Sequence, residues 1–202
     1  MIKIDLLDEV IWDWLPVIKI TKYPVEQGAF RPFAQAQFCY KLNSGLFIKI
    51  IAFEVDPVNK ITENNNNKIF NDSLLTVVIG NKNKNNFKYI SVSFNKNNNY
   101  LIKEYQDNSF ISEKLEINPV EGEDLQGIYW GGYFLITENI LKKYLDFDYK
   151  INKDFYINFI KSGVYNNNFY SGGFVDIKKT WTCNLEKVFI NNFNKISGGS
   201  EI

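Results

Sequence analysis

The chain reads as an all-β protein: an antiparallel β-sandwich of the jelly-roll or immunoglobulin-like kind, with one short helix. Three features of its 202 residues carry that expectation. Two nearly all-apolar segments, LFIKIIAFEV at 46–55 and LLTVVIG at 74–80, are joined by a long polar loop, as buried strands of a packed sheet would be. Other segments alternate between apolar and polar residues with the strand period of two. Helical spacing appears convincingly only once, so many short strands with polar turns describe a sandwich.

In chain order, strands are expected at 17–21, 34–41, 46–55, 73–80, 87–94, 100–105, 127–136, 155–161 and 170–177. In the second, Ala34, Ala36, Phe38 and Tyr40 share one face, with Gln35, Gln37 and Lys41 on the other. In the fifth, Ile90, Val92 and Phe94 oppose Tyr89, Ser91 and Ser93. The third lacks alternation and reads as a central strand covered on both sides. The helix follows the seventh strand. Thr137 suits the N-cap, Glu138 the first turn, and Ile140, Leu141, Tyr144 and Leu145 form the apolar stripe. No repeat and no Pro/Gly/Ser linker interrupts the chain, so a single domain over 1–202 is the natural expectation.

Composition narrows the function classes. Lys and Arg together balance Asp and Glu at 23 each, which argues against a nucleic acid as the main partner. His is absent, removing the commonest general base and metal ligand. A site made from loops, aromatics and amides suits binding better than catalysis. Asn, Lys, Ile, Tyr and Phe are over-used and Arg31 is the only Arg, the pattern of an AT-rich coding sequence. Asn runs at 64–67, 97–99 and 166–168 therefore read as loop filler between folded strands. Cys39 and Cys183 are too few and too distant for a disulfide framework, and Cys39 reads as a buried free thiol. Acids stand where a signal peptide needs an apolar core, and no run approaches the ~20 apolar residues of a membrane span. The chain reads as cytoplasmic, or as secreted if a leader has been removed.

The order of several motifs then becomes recognisable. VIKITKYP is followed by FRPFAQAQFCYK, then by the strand and acidic-x-Pro segment LFIKIIAFEVDP. A variable loop ends in the step Asp72-Ser73 before Leu74-Leu75, and the aromatic-rich strand YISVSFN follows. Near the end come FYINFIKSG with its central Asn and the tryptophan segment KKTW. In this order, from residue 14 to 193, the chain resembles the family 9 carbohydrate-binding modules and their stand-alone relatives. The resemblance implies a β-sandwich that binds a mono- or oligosaccharide without cleaving it. It also leaves room for structural calcium, which some members hold.

In the sugar-binding members two aromatic rings sandwich a terminal sugar. The resemblance places one at Phe70, just before the Asp-Ser step, and the other at Trp181. Asn158 matches the Asn of the late strand, and Asp72 opens the Asp-Ser step. At two positions the chain departs from the pattern: Leu75 stands where the family has Glu, and Ser91 where it has Arg. Rings and amides suit this task because a pyranose has an apolar C–H face and a hydroxyl rim. A flat ring buries the face at about 25 cal/mol per Å², and amides read the rim by paired hydrogen bonds.

Each candidate also has a plain structural reading. Trp181 and Phe70 suit packing as well as a ligand, and Trp130 suits the core. Trp12 and Trp14 suit either an exposed platform or a staple for the N-terminus. Asp72 suits a turn as well as a metal or ligand contact. Glu54 and Asp56 are oxygen donors, but calcium asks for ~6–8 oxygens. Glu121, Glu123 and Asp124 read as a solvated acidic loop. Arg31 has a planar fork fitted to a carboxylate or to stacking. The alternative to sugar binding is a degenerate sandwich acting as a protein-interaction or structural module. An enzyme acting on glycans would need a carboxylate pair across one groove, and none stands out.

Overall fold

The inward-facing apolar rows of the strands meet between two sheets. The computed structural model describes residues 2–26, 30–83, 86–105, 109–175 and 185–191. In chain order the strands are β1 (Ile2–Leu7), β2 (Ile18–Ile20), β3 (Lys22–Glu26), β4 (Ala34–Lys41), β5 (Gly45–Phe53), β6 (Leu74–Asn83) and β7 (Asn86–Phe94). They continue with β8 (Tyr100–Glu104), β9 (Ser109–Phe110), β10 (Asn118–Asp124), β11 (Gly127–Thr137), β12 (Asp154–Tyr165), β13 (Asn168–Gly173) and β14 (Glu186–Asn191). One helix, α1 (Glu138–Leu145), follows β11, and 3-10 turns form at Trp12–Trp14 and Asn67–Asn71. The architecture is all-β, a sandwich with one short α-helix, as the sequence predicts.

One sheet runs β9-β8-β7-β6-β12-β14 and the other β10-β11-β5-β4. The N-terminal segment straps them together twice. β1 lies parallel to β14 through Ile2–Asp5, then parallel to β4 through Leu6 and Leu7. Further along, β2 pairs with the start of β4 and β3 with β13. The long β12 shares one edge between two neighbours, β14 along residues 154–157 and β13 along residues 160–165. Between the sheets lie Phe38, Ile48, Ile50, Val77, Ile79, Phe94, Phe134 and Phe159, all buried in one continuous core.

Several strands extend past their expected ends, and β1, β3, β9, β10 and β14 were not anticipated as strands. The acidic stretch read as a solvated loop is the edge strand β10, in which Glu121 pairs with Trp130 and Glu123 with Ile128. Its charges and Pro119 suit an unpaired edge. β5 is central in its sheet, yet its outer face is only half covered: Phe47, Lys49 and Phe53 stay partly exposed. The strands buried on both faces are β6, where eight successive residues from Leu74 are buried, and β12, where seven from Ile157 are. Trp12 and Trp14 lie on a 3-10 turn and diverge. Trp12 packs by Tyr133, with ring centroids 6.1 Å apart, whereas Trp14 is 80% exposed.

α1 begins as anticipated. The Thr137 hydroxyl accepts a hydrogen bond from the Ile140 amide at 3.3 Å, and Ile140, Leu141 and Leu145 face the core. Beside it, Gly45 at the start of β5 has φ +133°, and a Cβ there would collide with the Ile136 carbonyl, so only glycine lets the helix start pack here.

Cys39 on β4 is 1% exposed, and burial pushes its thiol up to about 11. A Cys183→Ser variant should therefore resist thiol reagents at pH 8 in the native state and react once unfolded in urea. Native labelling at the unfolded rate would contradict this placement of the β4 outer face.

Candidate functional site

One end of the sandwich gathers the β5–β6 loop, the β7–β8, β10–β11 and β12–β13 turns and the residues leading into β4. Two charged residues reach into the interior here. Glu54 continues the inward row of Leu46, Ile48, Ile50 and Ala52, and Lys161 continues that of Phe155, Ile157 and Phe159. They meet between the sheets at 3.0 Å, with side-chain exposures of 6% and 0%.

The surrounding groups saturate this pair. Glu54 Oε1 accepts from the Ser73 hydroxyl at 3.0 Å and the Tyr170 hydroxyl at 2.9 Å, while Oε2 accepts from the Trp130 indole N–H at 3.2 Å. Lys161 Nζ also donates to the Ser162 carbonyl at 3.0 Å and the Tyr170 oxygen at 2.8 Å. It stands 5.4 Å from the Trp130 ring centroid and 5.0 Å from that of Tyr170. Burial alone would raise the Glu54 carboxyl, but the Lys161 ammonium and the Tyr170 and Ser73 hydroxyls outweigh it and hold the group below its ordinary value. Burial pulls the Lys161 ammonium down against the opposing pull of Glu54. The three acceptors around Nζ match the three hydrogens of an ammonium. Burial, then the Glu54 charge, pushes the Tyr170 phenol well above its usual range.

Above this floor opens a cleft of about 560 Å³, lined among others by Phe30, Phe53, Asp56, Gln126, Ile128 and Tyr165. Phe30 and Tyr165 stack with centroids 4.1 Å apart and planes 10° from parallel, and Phe30 meets Tyr170 edge-on at 5.2 Å. Of the eight large apolar side chains exposed among the described residues, three line this mouth: Val55, Ile128 and Tyr165. Apolar rings and rim side chains beside an exposed carboxylate and two exposed amides, Gln126 and Asn166, give a surface that can bury a ligand's apolar face and bond its polar edge.

The loops around the mouth are braced from within. Asp72, fully buried, accepts from the Lys60 amide at 2.9 Å, the Ile61 amide at 3.0 Å and the Asn95 side chain at 3.0 Å. Asn95 in turn accepts from the Asn97 and Asn99 amides and donates to the Ile61 carbonyl at 2.8 Å. The Asn runs read as filler therefore hold the turns. Among the described non-glycine residues with positive φ, five of six are Asn.

The residues read from the sequence fall in different places. Phe70 lies on the 3-10 turn Asn67–Asn71, half-buried against Ile69, Leu74 and Leu101. Trp181 lies outside the described residues. Asn158 is buried on the outer face of β12, where it bonds the Val175 amide at 3.1 Å and the Val175 carbonyl at 3.3 Å. Leu75 points into the core opposite Phe94, whereas Ser91 points to the outer face beside Tyr105, so these two positions do not share a face. Trp130 is a core residue, 1% exposed. Arg31 is exposed next to Phe30. Of the two carboxylates considered for calcium, Glu54 is bound to Lys161 and Asp56 is exposed. Among the described residues no three His, Cys, Asp or Glu side chains converge. The sequence reading missed Phe30, Tyr165 and Lys161. Only Lys161 left a signal, as the single charge on an otherwise apolar inward row.

Breaking the pair strands a charge. Lys161→Met and Glu54→Gln should each cost about 3–5 kcal/mol in urea unfolding, and the double variant less than their sum. Because the folded Glu54 carboxyl lies below its ordinary value, its stabilising contribution is complete above the unfolded value of about 4.3 and is lost as pH falls through the folded value. Wild-type stability should accordingly drop more steeply below about pH 4 than that of Glu54→Gln.

No model of a known protein family matches the chain, and no curated protein is similar to it in sequence. Among solved structures, a protein from Bacteroides uniformis, provisionally named as carbohydrate-binding, resembles it with a TM-score of 0.64 at 12% identity. The match covers 89% of this chain and 88% of the other. At that identity the likeness establishes a common sandwich fold.

Proposed function

We propose that the chain is a non-catalytic carbohydrate-binding protein, of the kind related to the family 9 modules, and that the loop-end cleft holds the sugar. The observation that carries this reading is the stacked Phe30–Tyr165 pair facing an open cleft with Asp56, Gln126 and Asn166 at hand. A sugar's C–H face packs on Tyr165 or Ile128, and its hydroxyls bond the carboxylate and amides. The fold shared with a protein provisionally named as carbohydrate-binding agrees with it. So does the state of the buried acid–lysine pair: a general acid or base must exchange protons with substrate near working pH, and Glu54 has every lone pair engaged.

The motif resemblance places the same function on Phe70 and Trp181. In that arrangement Asp72 and Asn158 act by holding backbone, since their side chains are engaged with Lys60, Ile61, Asn95 and Val175.

Calorimetric or NMR titration with neutral mono- and oligosaccharides tests the reading. Saturable binding is expected in the millimolar to micromolar range, roughly −4 to −8 kcal/mol. Tyr165→Ala should weaken it about tenfold or more, the loss of one stacked ring, with an unchanged circular dichroism spectrum. If Trp181→Ala abolishes binding and Tyr165→Ala does not, the site moves to the Phe70–Trp181 pair. No saturable response to any sugar at tens of millimolar would leave the sandwich as an interaction or structural module.

A further inference from the structure

We infer that the ligand is an extended, neutral glycan chain, bound along its length, and that the outer face of the β4-β5-β11-β10 sheet continues the cleft as a second part of the site. The inference rests on the cleft reading above and deepens it.

Phe53 connects the two parts. It lines the cleft and, at the end of β5, also belongs to a row of rings crossing the outer face. Phe33 stands opposite it, with centroids 5.4 Å apart, and Tyr129 on β11 follows at 5.5 Å. The Tyr129 ring reaches over Gly122 of β10, where any Cβ would collide with its phenol end. Glycine thus lets this ring lie low against the sheet. Four strands at about 4.8 Å spacing make the row from Phe33 to Gly122 roughly 14 Å wide, longer than a single pyranose.

On these four strands the row is uncharged, and so is its neighbour. Across β4, β5, β11 and β10, the first row is Phe33, Phe53, Tyr129 and Gly122, and the next is Gln35, Ile51, Gly131 and Val120. All three rings of the first row remain partly exposed. Beyond them the second row meets one cation, Lys19 on β2 beside Gln35, and the rings of the first row have none among their strand partners. Rings, an amide and glycines match the alternating C–H faces and hydroxyl edges of a neutral glycan. This differs from a slot that grips only a terminal sugar, because an open row accepts the interior of a chain.

Chain-length dependence in the full-length protein is the test, using gluco- and xylo-oligosaccharides from monosaccharide to hexasaccharide, with an oligogalacturonide as the anionic control. The hexasaccharide should bind at least about tenfold more tightly than the monosaccharide, since it reaches two or more rings beyond the cleft. Tyr129→Ala should remove most of that gain and leave monosaccharide binding unchanged. Gly122→Ala, which lifts the ring without deleting it, should do the same and guards against a folding defect in the first variant. Equal affinity for all lengths, with both variants silent and Tyr165→Ala still disruptive, overturns the extended site and leaves the cleft function standing. An anionic chain that gains as much with length as the neutral ones overturns the neutral-ligand claim. Absence of any binding removes the cleft function and this inference together.

Discussion

The ion pair between Glu54 and Lys161 sets the geometry of the whole loop end. Each sheet sends one charge inward near the loop end, Glu54 just past β5 and Lys161 four residues before the end of β12, and the two meet at 3.0 Å with almost no solvent exposure. Desolvating both ions costs several kcal/mol apiece, so the arrangement is stable only because every remaining lone pair and proton is met by Ser73, Tyr170, Trp130 or Ser162. These partners come from β13, from β11, from the entrance to β6 and from β12 itself. With the end of β5, five chain segments thereby meet at a single point. Glu54, the residue after β5, also lines the cleft above the pair.

The bracing continues outward through short polar side chains. Ser73 bonds the backbone of Val58 in both directions while its hydroxyl serves Glu54. One residue away, Asp72 gathers two amides of the long loop and the side chain of Asn95. The loop from β5 to β6 and the turn from β7 to β8 are thus tied through buried hydrogen bonds rather than through packing alone. A loop ordered before its ligand arrives loses less entropy on binding, which suits a shallow site whose gross contact energy is small. The Asn-rich composition serves this design, because Asn tolerates the left-handed backbone and bonds its own turn.

What the sequence revealed follows from which interactions are local. Alternation identified β4 to its exact ends at Ala34 and Lys41, and the Thr137 cap located α1, because both signals lie within a few residues of one another. Strand β10 was hidden because its charged residues are those of an edge, which carries no inward apolar row. β1 and β14 escaped because every partner is distant in sequence, β1 pairing with β4 and with β14, nearly the whole chain apart. The outer cover of β5 was over-read: an unbroken apolar run signals burial on both faces, yet here its rings lie on a partly open surface. The Phe30–Tyr165 stack joins residues more than a hundred positions apart and had no local trace. Trp181, named on motif order, falls outside the described residues.

Lys161 shows how such a site can be found from sequence in future cases. Along β12 the inward positions run Phe155, Ile157, Phe159, then Lys161, and along β5 they run Leu46, Ile48, Ile50, Ala52, then Glu54. A lone charge at the end of an otherwise apolar inward row cannot stay unpaired between two sheets. Two rows ending in opposite charges therefore predict both a contact and the end of the sandwich at which it forms. At this locus the carboxylate is held by four donors, from Ser73, Tyr170, Trp130 and Lys161, which leaves it no free lone pair.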